Sequence, residues 1–192
     1  MKLSRDEMIS YAAVLVIVVS LASIGMQLTG FATYNDTAVV NVTITSLAAI
    51  NFTADFIDFG EGVVNNSGTT LNTNGTAPIS GNWSQITDNL TLENIGNVNV
   101  SLGLLADKDA DAFLGGASPL FQYYITEDLA DSCTGGTTGV YTDFTMSNVT
   151  VCPNFPFNDA MDRIAIDIML YIPSDSFTGE QTATITATGY VP

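Results

Sequence analysis

The chain has 192 residues and a formal net charge of −16 at pH 7, with only four Lys or Arg residues and no His. Proteins hold nucleic-acid phosphates with Lys and Arg, so this composition excludes nucleic acid as a partner. The lack of His excludes Ser-His-Asp and Cys-His catalysis within the chain and removes the commonest transition-metal ligand.

The first predicted element is an N-terminal hydrophobic helix. Residues 8–31 carry no charge, and about 20 apolar residues are enough to cross the hydrocarbon core of a bilayer. Lys2 and Arg5 come before this run, which favours a cytoplasmic N-terminus. The sequence therefore predicts that the membrane is one partner of this chain and that everything after the helix lies outside the cell.

The fate of this helix has three alternatives. Residues 8–31 could stay in place as a membrane anchor, or they could be a secretory signal that is cleaved near Ala32. They could also be kept as the core of a pilin-type filament, although the usual processing site is not visible. We expect residues 1–32 to be a cytoplasmic stub plus a transmembrane or signal helix, and residues 33–192 to be one extracellular domain.

Sugar acceptor triplets are frequent after the helix, where nine of the fifteen Asn residues begin an Asn-x-Ser/Thr sequence. This triplet is the N-glycosylation acceptor and indicates an exposed position in a secreted protein. Asn99 and Ser101 alternate with apolar neighbours, so a sugar on Asn99 would face solvent. A composition rich in Asn and Thr also produces such triplets without selection. The predicted sites are Asn35, Asn41, Asn51, Asn65, Asn74, Asn82, Asn89, Asn99 and Asn148.

Alternating apolar and polar residues predict short strands through most of the exported part. Val40 and Val42 belong to the first such row, and the longest row runs from Ile164 to Ile172. A hairpin is expected between residues 90 and 104, with its turn at residues 94–97.

The pattern as a whole indicates an all-β fold. Residues 65–76 are rich in Asn, Gly, Ser and Thr and are expected to form a loop. No helical periodicity follows Phe31. The sequence therefore predicts a single antiparallel β-sandwich, Ig-like or jelly-roll-like, preceded by one N-terminal hydrophobic helix.

Asp107, Asp109 and Asp111 are the candidate metal ligands. Three carboxylates at alternate positions can converge on one hard cation if the loop curls, which suggests a Ca²⁺ site. The pattern departs from the EF-hand loop because its Gly position holds Ala112 and its Glu position holds Ser118. The alternative is a solvated acidic loop between two strands.

Cys133 and Cys152 are the only cysteines, and both fall on the predicted outer side. Two cysteines in an oxidising compartment are expected to form a disulfide. Such a bond would close a loop of roughly 18 residues and stabilise the fold by about 3 kcal/mol.

Catalysis has no sequence signature here. Pairs of acids could in principle hydrolyse glycosides, but no motif frames any pair, so the sequence predicts a protein that is not an enzyme. Trp83 is the only Trp. It could stack on a sugar if it were exposed, but a lone Trp in a sandwich is more often part of the core.

Three short stretches resemble known families. Residues 172–175 (Ile-Pro-Ser-Asp) and the Thr-rich strand after them resemble the last hairpin of β-sandwich modules on prokaryotic cell surfaces, especially archaeal ones. Residues 94–98 (Asn-Ile-Gly-Asn-Val) are similar to a turn in those proteins. Residues 30–37, which follow the hydrophobic leader, resemble the mature start of TasA/camelysin-like fibre subunits. These resemblances imply a surface protein, and the last implies a fibre.

The function expected from the sequence is that of a glycosylated, non-enzymatic structural protein of the cell surface. It would be a subunit of an envelope layer, fibre or pilus, with surface-layer neighbours or further copies of itself as partners. Residues 33–49 could leave their own domain and complete a neighbour's sheet. Alternatively, they are an ordinary first strand, and the chain is a membrane-tethered monomer for adhesion or ligand binding.

Overall fold

The computed structural model of the chain describes residues 4–27 and 39–192. Its contacts divide the chain into one unit that ends at Thr43 and a second unit, Ile44–Pro192. The predicted cleavage position near Ala32 and the acceptor Asn35 lie outside the described residues.

The first unit contains one helix, α1 (Arg5–Gln27), among the residues that are described. This agrees with the helix that the sequence predicts near the N-terminus. Within residues 4–27 and 39–192, no helix combines the length and the apolarity that crossing a membrane requires.

The second unit, which is described throughout, is built mainly from strands. Its elements, in chain order, are β1 (Ile50–Ala54), β2 (Thr69–Asn72), β3 (Leu90–Asn94), β4 (Val100–Ala106), α2 (Ala110–Leu114), β5 (Leu120–Glu127), β6 (Thr142–Asp143), β7 (Val149–Phe155), β8 (Arg163–Ile172) and β9 (Ile185–Tyr190).

These strands form two antiparallel sheets, as the sequence predicts for an all-β sandwich. The larger sheet has the order β1-β3-β8-β5-β6, and β2 also pairs with β8. The ten residues of β8 accommodate both partners, because β3 pairs with its first half and β2 with its second half. The smaller sheet has only three strands, in the order β7-β4-β9.

The core lies between the sheets and follows the alternation of the sequence. The predicted inward row of β8 is buried from Ile164 to Ile172. Leu102 and Leu104 of β4 are also buried, and both rows belong to one hydrophobic cluster. Side chains of a strand alternate between its two faces, so the period-2 pattern identifies this core correctly.

The connection between β3 and β4 is not the hairpin expected at residues 90–104. β3 belongs to the larger sheet and β4 to the smaller one, so the chain crosses between sheets after Asn94. The Asn94 side chain is buried, and its Nδ2 donates to the carbonyls of Val98 and Phe155, both at 3.0 Å. Its Oδ1 accepts from the Gly96 N–H at 3.1 Å. These bonds stabilise a crossing where the residue types alone suggested a tight turn.

Three further local expectations were wrong. Residues 65–76 are not only a loop, because they contain β2, which pairs with β8. The expected first strand around Val40 and Val42 is not a strand in the structure. Finally, α2 follows β4, with Asp109 as its N-cap; a helix of five residues is too short to show a helical period.

Asn94→Ala should lower the free energy of unfolding by about 2–4 kcal/mol, because it leaves buried carbonyls without donors. Chemical denaturation of the protein measures this loss. Asn66→Ala is the matched control, since Asn66 is exposed and its replacement should change stability by less than about 0.5 kcal/mol. Equal effects of the two substitutions would contradict the role given to Asn94.

Candidate functional site

Two free sheet edges lie close together in the second unit. β1 is the outer strand of the larger sheet, and β9 is the outer strand of the smaller sheet. Near one end of the strands the edges almost touch: a Cβ added to Gly189 would lie 3.1 Å from Cγ2 of Ile50. Edge strands present unpaired N–H and C=O groups, which favour the addition of another strand.

A cleft of about 810 Å³ opens where β1 has ended. It is bounded by residues 55–64, which follow β1, and by residues 176–185, which lead into β9. We call it the edge cleft. The apolar side chains that line it include Phe52, Leu71, Leu90, Phe113, Leu114, Phe121, Ile168, Leu170 and Ile172.

The edge cleft reaches the hydrophobic core itself. Eight of the nine residues just named belong to the buried core cluster, and Phe52 packs against it. The larger sheet has six strands and the smaller one three, and at the cleft the residues that face the larger sheet come from the connections 55–64 and 176–185. At the rim, Phe56 and Phe177 are 76% and 55% exposed. A largely apolar cleft with exposed aromatic side chains at its rim is typical of a binding site.

Trp83 lies in the wall of the edge cleft. Its ring packs against the core and is half-buried, which agrees with the core alternative for this residue. Its Nε1 is buried and has no hydrogen-bond partner among the described residues. A buried N–H without an acceptor is unfavourable, so a ligand or segment that supplied a carbonyl here would stabilise the site.

Residues 39–49 form an exposed segment without a strand partner in the described structure. Val40, Val42 and Ile44 are 90%, 81% and 81% exposed, although their alternation is that of a half-buried strand. We call residues 39–49 the exposed segment. β-branched residues favour extended backbone, so the segment has the composition of a strand but lacks a sheet.

Asn97 fixes the end of this segment that leads into β1. The Leu47 N–H donates to Asn97 Oδ1 at 2.6 Å, and the Asn97 N–H donates to the Leu47 carbonyl at 2.9 Å. The Asn97 Nδ2 donates to the Thr45 carbonyl, also at 2.9 Å. These bonds hold residues 45–47 beside the crossing between β3 and β4.

Residues 44–49 and the edge cleft belong to opposite ends of the sandwich. β1 pairs with β3 so that Ile50 lies opposite Asn94, which places Thr45 and Leu47 at the same end as Asn97. The edge cleft is lined by α2 and by the end of β8 at Ile172, which lie at the other end of the strands. Residue 44 therefore leaves the sandwich far from the edge cleft.

The three predicted metal ligands are not gathered around one position. Asp107 Oδ1 accepts from the Thr184 N–H at 2.7 Å, and Asp109 Oδ1 accepts from the Ala112 N–H at 2.8 Å as the N-cap of α2. Asp111 lies in the first turn of that helix. In the described ranges no group of three or more His, Cys, Asp or Glu side chains could hold a metal ion. The Ca²⁺ site stays a prediction without geometric support.

The two cysteines form the disulfide that the sequence predicts. Cys133, in the connection after β5, is bonded to Cys152 of β7, with their Cα atoms 5.4 Å apart. Both side chains are buried. The bond ties the long connection between β5 and β6 to the smaller sheet.

The acceptor Asn residues in the described part lie mostly in solvent. Asn89 is half-buried, and the following seven are exposed: Asn41, Asn51, Asn65, Asn74, Asn82, Asn99 and Asn148. Exposure fits glycosylation, which itself stays a prediction.

Asp167 is a buried carboxylate for which the sequence gives no signal, since it lies between the inward residues Ile166 and Ile168 of β8, where alternation predicts an outward and exposed position. It is 8% exposed and accepts a hydrogen bond from Thr73 Oγ1 at 3.0 Å. Thr73 Oγ1 in turn accepts from the Ile168 N–H at 2.8 Å. Burial raises the pKa of Asp167 above its ordinary value, and the bond from Thr73 opposes this rise only in part.

No family model, curated protein or solved structure matches this chain. What the site can do is therefore argued from its geometry.

Asp167→Asn should raise the melting temperature at pH 7. A raised pKa means that the folded state favours the protonated carboxyl, so ionisation of Asp167 lowers stability as the pH rises above its ordinary pKa of about 3.9. The amide oxygen of Asn can still accept from Thr73. Near pH 3 both proteins carry a neutral side chain, and their melting temperatures should converge.

Thermal unfolding at about pH 3 and pH 7 tests this expectation. Asp159→Asn is the matched control, because Asp159 is exposed and its replacement should have little effect at either pH. A lower melting temperature of Asp167→Asn at pH 7 would show that the carboxylate stabilises the fold.

Proposed function

We propose that this chain is a non-enzymatic structural subunit of the cell surface whose copies join by strand exchange. The observation that carries the proposal is a complementary pair of features in one chain. The exposed segment has the side chains of a strand and no sheet, and the edge cleft has apolar walls, lies beside two free sheet edges and holds no strand.

In this assembly the exposed segment of one copy enters the edge cleft of the next. Val40, Val42 and Ile44 would face the core residues of the cleft, and each fully buried side chain of this size contributes about 1.5–3 kcal/mol. The backbone between them would pair with the free edge of β9 or β1, as in other cases of strand addition. The exposed apolar side chains of the segment and the unpaired backbone groups of the sheet edge are then both removed from water.

Charge favours this segment as the occupant. The exported part is strongly acidic, and the edge cleft itself has acids in its lining, including Asp55, Asp58 and Glu180. Residues 39–49 carry no charge. An uncharged strand enters an acidic rim without the repulsion that any acidic stretch of this protein would meet.

The positions of the two features imply an open chain of subunits. The exposed segment is anchored at the Asn97 end of the sandwich, and the edge cleft lies at the α2 end. A contact between different surfaces of two copies is head-to-tail, and such contacts produce filaments unless the rotation closes a ring. A fibre or pilus is therefore favoured over a two-fold dimer.

The surface location rests on the composition and the disulfide. A buried bond between Cys133 and Cys152 is compatible with an oxidising exterior. The proposal also includes either attachment to the membrane through residues 8–31 or release after cleavage near Ala32. It further includes the Ig-like or jelly-roll subtype of the sandwich and an archaeal or other prokaryotic source. The acceptor Asn residues would make the subunit a glycoprotein.

A donor variant tests the assembly. Val40→Asp combined with Ile44→Asp places two charges on the face that would enter the cleft, and we expect filaments to disappear because burying unpaired carboxylates is unfavourable. Negative-stain microscopy and light scattering of purified protein detect the loss. Val140→Asp is the matched control, because Val140 is exposed but lies outside the segment; it should still form filaments.

A cleft variant gives an independent test. Ala183→Trp places a large ring in the lining of the edge cleft, and this variant should also remain monomeric. Mixed with the donor variant, it should form 1:1 heterodimers but no filaments, because each copy retains only one half of the contact. Native mass spectrometry distinguishes the products. Full-length filaments from the mixture, or only monomers from wild-type protein at high concentration, would contradict strand exchange.

A second candidate function follows from the volume of the edge cleft. Ligand pockets are typically about 300–1,000 Å³ and largely apolar, and the cleft falls within that range at about 810 Å³. The chain would then be a monomeric adhesion or ligand-binding module. This alternative requires that the donor variant binds its ligand as well as the wild type does, whereas Ala183→Trp does not.

A further inference from the structure

Two tyrosines form a ring pair on the outer side of the larger sheet. Tyr124 belongs to β5, and Tyr141 precedes β6. Their ring centroids are 5.0 Å apart with an interplanar angle of 44°. Both side chains are half-buried, so each keeps part of its ring in solvent. This pair has no part in the edge cleft or in the exposed segment.

The amide of an acceptor Asn lies directly on this pair. Asn74 Nδ2 donates to the Tyr141 hydroxyl at 3.3 Å, although the two residues are 67 positions apart in the chain. Asn72 Nδ2 donates to the same hydroxyl at 2.5 Å. Asn74 is exposed, and its Oδ1 accepts from the Thr76 N–H at 3.0 Å. The acceptor nitrogen is therefore fixed in place, with an aromatic surface beside it.

We infer that Asn74 carries an N-linked sugar and that the first sugar ring rests on the Tyr141–Tyr124 pair. The inference rests on the proposed function in one respect, namely that the chain is exported to where N-glycosylation occurs. It goes further by naming which acceptor triplet carries a sugar and which protein surface that sugar contacts. We call this surface, the Tyr141–Tyr124 pair, the seat of the sugar. Tyr rings offer an apolar face with a polar tip, which suits the apolar C–H face and the hydroxyls of a sugar.

The chemistry of attachment preserves the contact. Nδ2 bonds to the anomeric carbon of a sugar that is activated as a lipid-linked phosphate ester. The phosphate leaves with the bonding electron pair, and Nδ2 loses one of its two protons. The remaining N–H can still donate to the Tyr141 hydroxyl. The sugar then starts within a hydrogen-bond length of the ring pair and has no long linker to move it away.

Two other acceptors in the described part of the chain show the contrast. Asn65 Oδ1 accepts from the backbone N–H two residues on, that of Ser67, at 2.8 Å, but its amide is not hydrogen-bonded to either member of a ring pair. Asn99 Nδ2 donates to Asn154 Oδ1, which is not aromatic. Asn65 is thus a matched comparison: the same local turn without a ring pair, since only Tyr171 is near it, donating to the Ser67 carbonyl at 3.2 Å.

The test removes the sugar without touching Asn74. Thr76→Ala abolishes the acceptor triplet but keeps the Asn74 side chain and the backbone N–H that it accepts from. Wild type, Thr76→Ala, Tyr141→Ala and the double variant are produced in a host that N-glycosylates. Peptide mapping reports the sugar at Asn74, and thermal unfolding reports whether the sugar stabilises the fold.

We expect Asn74 to be occupied and Thr76→Ala to lower the melting temperature by about 2–4 °C. In the Tyr141→Ala background the same substitution should change it by less than about 1 °C, because the seat is gone. Ser67→Ala, which removes the Asn65 triplet, should have the same small effect in both backgrounds. All four proteins made in a host without N-glycosylation should show no effect of Thr76→Ala.

Several results would overturn the inference. They are an unoccupied Asn74, an equal effect of Thr76→Ala with and without Tyr141, or an equal effect in the host without glycosylation. If Tyr141→Ala does not fold, the contact is tested in wild-type protein by nuclear Overhauser effects between the first sugar and the Tyr141 ring. Their absence would refute the contact between the sugar and the tyrosine pair. Sugar at other Asn residues but not at Asn74 rejects this inference alone, whereas no sugar anywhere also rejects the glycoprotein part of the proposed function.

Discussion

The unequal size of the two sheets is the constraint on which the rest of the structure depends. The smaller sheet has three strands and the larger sheet six, so strands of the smaller sheet cover only part of the larger sheet's apolar face. Residues from 55–64 and 176–185 line the remaining part, the edge cleft, where the rim residues Phe56 and Phe177 are exposed. Exposed apolar side chains and the free edges of β1 and β9 are each unfavourable in water, and one added strand would cover both. The edge cleft therefore follows from the sheet topology rather than from any single residue.

Asparagine side chains organise the end of the sandwich opposite the cleft. Asn94 is buried and ties the crossing between the sheets to β7 through the Phe155 carbonyl. Asn97, three residues later, holds the backbone at Thr45 and Leu47. An amide can donate and accept at the same time, so each of these residues stabilises two chain segments. The same short turn thus fixes the fold and the point from which residue 44 leaves it.

The net charge of the chain opposes association, and the proposed contacts favour it. A net charge of −16 makes copies repel one another, while the exposed segment carries no charge and most of the residues deep in the edge cleft are apolar. Assembly through these surfaces would depend on apolar burial and backbone pairing, which screening by salt affects little. The tyrosine pair lies elsewhere, on the outer face of the larger sheet, so a sugar held there is compatible with strand exchange.

The sequence by itself determined the strand content, the inward row of β8 and the Cys133–Cys152 bond, because period-2 alternation is a local signal and two cysteines allow only one pairing. It also marked Val40, Val42 and Ile44 as strand-forming. Only the tertiary structure decided that this row lacks a sheet, that β2 lies within a loop-like stretch, and that Asn94 starts a crossing instead of a hairpin. It also decided that Asn74 lies beside Tyr141, and that Asp107 and Asp109 bond to different backbone groups instead of converging on one point. These outcomes depend on which segments meet across 50 or more residues, and residue patterns carry no information about such distant partners.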